Sequence, residues 1–189
     1  MTPMQPSELG MPHRLILALL GAKKGETIPR KLWLQKELFY LARDKPRMKE
    51  GLQFVPYLQG PWSEPSDLAL DDLRSLGLVS FDPKYGNHVE LTSAGRAFYK
   101  ELANQMPVEL REEVEEVKDL MNDLSENELL LFVYETYPRM TTGSVVKEKA
   151  LLDRVSYAQR LYKKGKVSLE RAAELAAVPL RDFRRLVGA

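Results

Sequence analysis

Leu73-Arg74-Ser75-Leu76-Gly77-Leu78-Val79, followed by Leu91-Thr92-Ser93-Ala94-Gly95, decides the fold. Gly77 stands where a helix stops, because a left-handed cap residue without a Cβ lets the chain turn sharply. Beyond it, Leu78–Phe81 and Val89–Thr92 alternate and read as two strands. Between them, Asp82-Pro83-Lys84-Tyr85-Gly86-Asn87 is dense in turn formers, so the strands form a hairpin. The Leu91–Gly95 stretch then leads into another helix through Leu102.

Working outward, Gly60-Pro61-Trp62-Ser63 is a turn that hands over to the helix ending at Leu76, with Ser63 as its N-cap. The short aromatic stretch 52–59 reads as extended. A helix over Arg30–Arg43 has Pro29 near its start and Pro46 just past its end. Leu34, Leu38 and Leu41 form its apolar stripe, while Lys31, Gln35 and Glu37 take other faces. Pro12–Ala22 is apolar nearly all round, as in a helix at a domain's centre. The order helix, helix, helix, strand, loop, strand is that of a winged helix. The expected fold is mainly α with a small β-hairpin, plus a C-terminal helix-turn-helix.

The two quoted stretches resemble the end of many winged-helix regulators. Lys31-Leu32-Trp33-Leu34-Gln35-Lys36 with Phe39-Tyr40, and Tyr57 followed by Gly60-Pro61-Trp62-Ser63, resemble the SocA-like (Panacea-type) antitoxin domain. Members of that family carry a “KLQKLLY” helix and a “Y-x-x-GPYS” turn. Here Trp33 interrupts the first motif and Trp62 replaces Tyr in the second. The resemblance covers about residues 12–102 and implies a winged-helix, antitoxin-type fold.

Charge is distributed unevenly. Residues 1–106 carry 14 Lys+Arg against 12 Asp+Glu, residues 107–139 carry 3 against 10, and residues 140–189 carry 11 against 5. A near-neutral winged-helix domain (1–106), acidic connecting helices (107–139) and a basic helical C-terminal domain (140–189) are therefore expected. Within the connector, Leu110, Val114, Val117, Met121 and Leu124 make a narrow apolar seam. It suits either packing on this chain's own winged helix or a homodimer contact. Ser125-Glu126-Asn127-Glu128 matches a capping box and opens a helix that stops before Pro138.

The helix that would enter a major groove, residues 63–76, carries Glu64, Asp67, Asp71 and Asp72 against the single cation Arg74. Phosphates would be repelled, so this helix reads as a solvated surface or as a contact for a basic protein partner. In the hairpin loop, Lys84, Tyr85 and His88 are the residues available for a wing contact, Lys84 and His88 foremost; an ordinary solvated turn is the alternative.

The tail offers more to DNA. A long helix is expected over Val145–Lys164 with Gly165 as its stop, then Ser168 capping Leu169–Ala176, a Val178-Pro179 turn, and Leu180–Val187. Ala172, Ala173, Leu175, Val178, Phe183 and Leu186 would pack the last two helices together. Lys163, Lys164, Lys166, Arg171, Arg181, Arg184 and Arg185 would then meet phosphates or base edges. A solvated basic face, or a contact with the acidic helix of a second copy, is the alternative. The stretch from Ala158 to Leu186 resembles the UPF0175 antitoxin-like family, whose pattern is roughly “A-x-x-L-Y-x-x-G-K-I-S-x-x-x-A-A-E-L-A-G-V” with a later “F-x-x-x-L”; Ala177 stands where that family has a turn Gly. This resemblance implies a DNA-binding or antitoxin-type regulator.

Enzyme chemistry has no residues to carry it. His13 and His88 lie in separate elements and in no metal-ligand spacing, Gly21–Gly25 lacks the phosphate-loop pattern, and Ser144 has no nucleophile elbow around it. No catalytic residue, metal or cofactor is expected. With no Cys in the chain there are no disulfides or thiolate metal sites, which fits a reducing, cytoplasmic setting. The apolar run Leu15–Leu20 is too short for a membrane span. The expected function is a DNA-associated regulator of transcription-factor or antitoxin type, contacting DNA through the C-terminal helix-turn-helix. The alternative is an interaction adaptor or antitoxin without a DNA role, docking a partner or a second copy through residues 63–76 and 110–124.

Overall fold

Leu15 through Leu20 are all buried in the middle of α1 (Met11–Gly25), the helix around which the first unit is built. The structure, a computed structural model, describes residues 6–188. It divides into two units: residues 1–55 with 62–122, and residues 56–61 with 123–189. The segment 107–139, expected as one connector, is thus shared between the two. The reason lies in its apolar faces, which complete two different cores.

In the first unit α1 is followed by an isolated antiparallel bridge, Ile28 with Val89, closed by amide-to-carbonyl bonds of 2.9 and 2.8 Å. Then come α2 (Lys31–Ala42), α3 (Pro46–Leu52), α4 (Glu64–Ser75), β3 (Val79–Asp82), β4 (His88–Leu91), α5 (Ser93–Gln105) and α6 (Val108–Met121). Between α3 and α4 in the chain lie strands β1 (Val55–Tyr57) and β2 (Gly60–Trp62), most of whose residues belong to the second unit's stretch 56–61. β3 and β4 pair antiparallel with Val79 opposite Leu91 and Asp82 opposite His88. The order α1, bridge, α2, α4, β3, β4 is the winged-helix order, with α3 and the β1–β2 sheet inserted before α4.

The quoted motifs now have physical reasons. Gly77 is left-handed at φ +71° and ends α4. Thr92 caps α5 by accepting the Gly95 amide at 3.0 Å and ties back to the Gly77 carbonyl at 2.6 Å. Gly95 leaves no room for a side chain: a Cβ there would lie 1.9 Å from the Leu78 carbonyl oxygen. Ser63 caps α4 as expected, taking the Ser66 amide at 3.1 Å. Gln35 grips Ser63 twice, donating to its carbonyl at 3.2 Å and accepting its amide at 3.0 Å. The α2 motif is therefore fastened to Ser63, the cap of α4.

One expectation about this unit changes. Pro46 does not merely end a helix; it sits in the first turn of α3, where its missing amide hydrogen costs nothing. Gln35 and Glu37, which lie off the apolar stripe, are buried all the same, because α2 is enclosed by α1, α3 and α6. The seam of α6 is likewise used at home: Val114, Val117 and Met121 are buried, and α6 packs on α1 and α2.

Between α1, α2 and α6 lies a buried polar cluster. Lys118, 0% exposed, donates to the carbonyls of Leu19 at 2.9 Å, Ala22 at 3.1 Å and Glu26. These are carbonyls left without helical partners where α1 leaves helical geometry, with Lys23 and Lys24 left-handed. All three ammonium hydrogens are spent there. Glu37, also 0% exposed, keeps both carboxylate oxygens without a hydrogen bond. Burial pushes its carboxyl up to about 8, partly opposed by the Lys118 charge. Burial in turn lowers the Lys118 ammonium, against the pull of Glu37.

The second unit contains α7 (Glu126–Thr136), a 3-10 turn at Pro138–Thr141, α8 (Lys147–Leu152), α9 (Arg154–Lys163), α10 (Leu169–Ala176) and α11 (Leu180–Val187). The capping box forms: the Ser125 amide donates to Glu128 at 2.9 Å, and Ser125 Oγ accepts the Glu128 amide at 3.4 Å. Residues 56–61 belong here, with the Leu58 carbonyl accepting from the Val145 amide at 3.0 Å and from Ser144 Oγ at 3.2 Å. The helix expected over Val145–Lys164 is broken at Asp153. Just past the break, Arg154 is drawn to Glu135 of α7 at 2.6 Å and to the Leu175 carbonyl of α10 at 2.8 Å. Among the described residues no helix is long and apolar enough to cross a membrane.

Candidate functional site

α10 and α11 have the bounds expected from their caps. Ser168 Oγ accepts the Arg171 amide at 3.1 Å and starts α10; Ala177, left-handed at φ +53°, ends it. Pro179 then precedes α11. Ala172, Ala173, Leu175 and Phe183 are buried, so the two helices share an apolar contact of small residues around one aromatic ring. Leu186, expected inside with Phe183, is 51% exposed instead: α11 is two turns long and its inward stripe ends at Phe183.

With Phe183 inward, Arg181, Arg184 and Arg185 are exposed on the remaining surface of α11, and Lys163 is exposed at the end of α9. The Arg181 and Arg185 side chains are 79% and 73% exposed and only loosely associated with Asp182, at 3.6 and 3.7 Å. In a helix-turn-helix the second helix is the one presented to the major groove. A guanidinium there can bond a guanine edge bidentately or bind a phosphate.

The other three cations are spent elsewhere. Lys164 donates to Glu128 at 2.8 Å and to the Asp123 carbonyl at 2.9 Å. Lys166 pairs with Asp123 at 3.1 Å, its side chain 12% exposed. Arg171 reaches Thr136 at 2.6 Å and Glu174 at 2.8 Å. For Lys164 the cause is the capping box: it places the Glu128 carboxylate at 1% exposure, where it needs cationic partners. Burial alone would raise the Glu128 carboxyl, but the bonds from Lys164, the Ser125 amide and Arg160 hold it below its ordinary value. Arg160, bonded to Glu128 at 2.8 Å, and Arg154 belong to this set of cations that hold the unit together. Sequence reading missed both; a basic residue at helical spacing carries no mark of the acid it will meet.

The wing and α4 add little positive charge. Lys84 is exposed on the turn, but His88 is half-buried, its Nδ1 3.5 Å from Thr27 Oγ1. On α4, Asp67 pairs with Lys31 and Asp72 lies 3.2 Å from His13 Nε2, which leaves Glu64 and Asp71 as its exposed acids away from a basic partner. Leu68 on the same helix is 60% exposed. Ser144 serves as a structural hydroxyl, 2.7 Å from the Tyr134 hydroxyl. Among the described residues no group of three His, Asp or Glu is placed to hold a metal ion.

Ala177 offers a direct check on this turn. A left-handed conformation costs a residue with a Cβ on the order of 1 kcal/mol. Ala177→Gly is expected to raise stability by about that much, seen as a higher urea midpoint at unchanged slope.

Compared with family models, curated proteins and solved structures, the chain finds no match in any of the three.

Proposed function

We propose that the protein is a DNA-associated regulator of transcription-factor or antitoxin type, and that α11 is its DNA-contacting helix. One observation carries this reading: Arg181, Arg184 and Arg185 stand exposed on the second helix of a helix-turn-helix whose inner side is fixed by the fully buried Phe183. The resemblances of residues 12–102 and 158–186 to antitoxin-type families support it. Lys163 completes a set of four exposed cations, reduced from the seven expected because Lys164, Lys166 and Arg171 have internal partners.

Four phosphate contacts would give a slope of log K against log salt of about −3.6. Fluorescence anisotropy of the full chain on a random duplex, measured across salt, reads this slope. The triple variant Arg181→Ala, Arg184→Ala, Arg185→Ala should flatten it by about 2.7 and weaken binding at every salt concentration. A flat salt response in the parent, or an unchanged one in the triple variant, rules the reading out.

A second reading rests on α4. Its exposed Leu68 lies on the helix that carries Glu64 and Asp71, which suits a basic, partly apolar protein surface better than a nucleic acid. Under this reading the protein is an interaction adaptor or antitoxin, and the duplex titration returns no binding for either form. The seam at residues 110–124 does not support a dimer, since its buried positions already pack within their own unit.

A further inference from the structure

The starts of α1, α3 and α6 and the end of α5 surround a cavity of about 270 Å3 in the winged-helix unit. Its floor is apolar: Leu15, Ala18 and Leu102 are each at most 3% exposed. Three methionines, Met11, Met48 and Met106, form much of its wall. Thioether side chains are unbranched and polarizable, so such a wall adapts to an inserted shape. Gly51 fits into this arrangement, since a Cβ there would meet the Met11 methyl at 2.0 Å. Arg14, exposed on the first turn of α1, is the one formally charged side chain among the described lining residues, and none of those is acidic.

We infer that this cavity is a binding site for a small monocarboxylate with an apolar body. The apolar part enters over Leu15, Ala18 and Leu102, and the carboxylate meets Arg14 at the mouth. A guanidinium and a carboxylate match in charge and in planar geometry, which selects an anionic end group over a neutral one. Size follows from volume. At about 30 Å3 for each water-sized group, the cavity holds roughly nine of them, the bulk of a medium-chain or single-ring acid. Pockets for small ligands have this composition, mostly apolar with a few placed polar groups.

Calorimetric titration of the full chain with octanoate and with octan-1-ol tests the assignment. Octanoate should bind saturably and more tightly than octan-1-ol. Arg14→Gln, at an exposed position that leaves the core intact, should weaken octanoate about tenfold or more and leave octan-1-ol unchanged. Leu110→Trp, which fills the cavity from α6, should block both. The assignment falls if octanoate does not saturate, if Arg14→Gln weakens both compounds equally, or if Leu110→Trp leaves octanoate binding intact. No DNA is present in these titrations, so their outcome is separate from that of the duplex measurement.

Discussion

Replacing Gly95 with alanine is expected to lower the unfolding free energy by at least about 3 kcal/mol, a large effect for one methyl group. The new Cβ would sit 1.9 Å from the Leu78 carbonyl oxygen and 2.9 Å from its carbon. Both are backbone atoms, and that carbonyl already accepts the Thr92 amide at 3.0 Å, so relief requires α5 to move away from the start of β3. Helix propensity works the other way, favouring alanine by just under 1 kcal/mol, and loses. Gly21→Ala makes the informative comparison. The atoms nearest its Cβ would be those of the Tyr99 ring, at 2.5 Å, and a half-buried side chain can swing aside. Urea unfolding of both variants should show a much larger midpoint shift for Gly95→Ala. Equal shifts would mean that the close approach at Leu78 is not what fixes this glycine.

Lys118→Met is expected to cost about 3 kcal/mol or more, because it removes the one donor that satisfies three main-chain carbonyls around a buried polar cluster. Those carbonyls belong to Leu19, Ala22 and Glu26. Glu37→Met added to it should recover part of the loss, since no uncompensated carboxyl then remains; the carbonyls still lack a partner, so recovery is incomplete. A double-mutant cycle reads the coupling directly. On its own, Glu37→Met should stabilise the protein near neutral pH. The sign follows from proton binding. Burial raises the folded-state value of Glu37 above the ordinary 4.5, so the folded form holds a proton that the unfolded form has released. Stability therefore falls as pH climbs from about 4.5 toward about 8. Removing Glu37 should flatten that fall, measured as unfolding free energies at pH 5, 6.5 and 8. A variant that retains the parent's slope would place the pH dependence elsewhere.

What could be read in the chain and what could not divides along a physical line. Caps are local chemistry: Ser63, Ser125 and Ser168 each accept the amide expected of them, and α10 and α11 have the bounds assigned from sequence. Enclosure is not local. The period of α2 marks Leu34, Leu38 and Leu41 as inward, yet Gln35, Lys36 and Glu37 are equally buried because neighbours arrive on every side. Pro46 signals a boundary without saying whether a helix ends or begins there. The break at Asp153 follows from where Arg154 finds Glu135 and Leu175, two contacts distant in sequence. At the candidate site the sign of the charge was legible but its availability was not. Lys164 and Lys166 look like Lys163 in the sequence; only the position of Glu128 and Asp123 separates the engaged from the exposed.

The Leu58 carbonyl, on which the Val145 amide and Ser144 hydroxyl both depend, lies far upstream of the helices it serves. A fragment begun at Asp123 would carry those two donors and lose their acceptor, although it retains the whole of α7 through α11. A single recombination breakpoint therefore cannot transplant this half intact into another gene. A fusion or truncation that aims to preserve it must bring the short stretch 56–61 along, or supply a substitute carbonyl in its place.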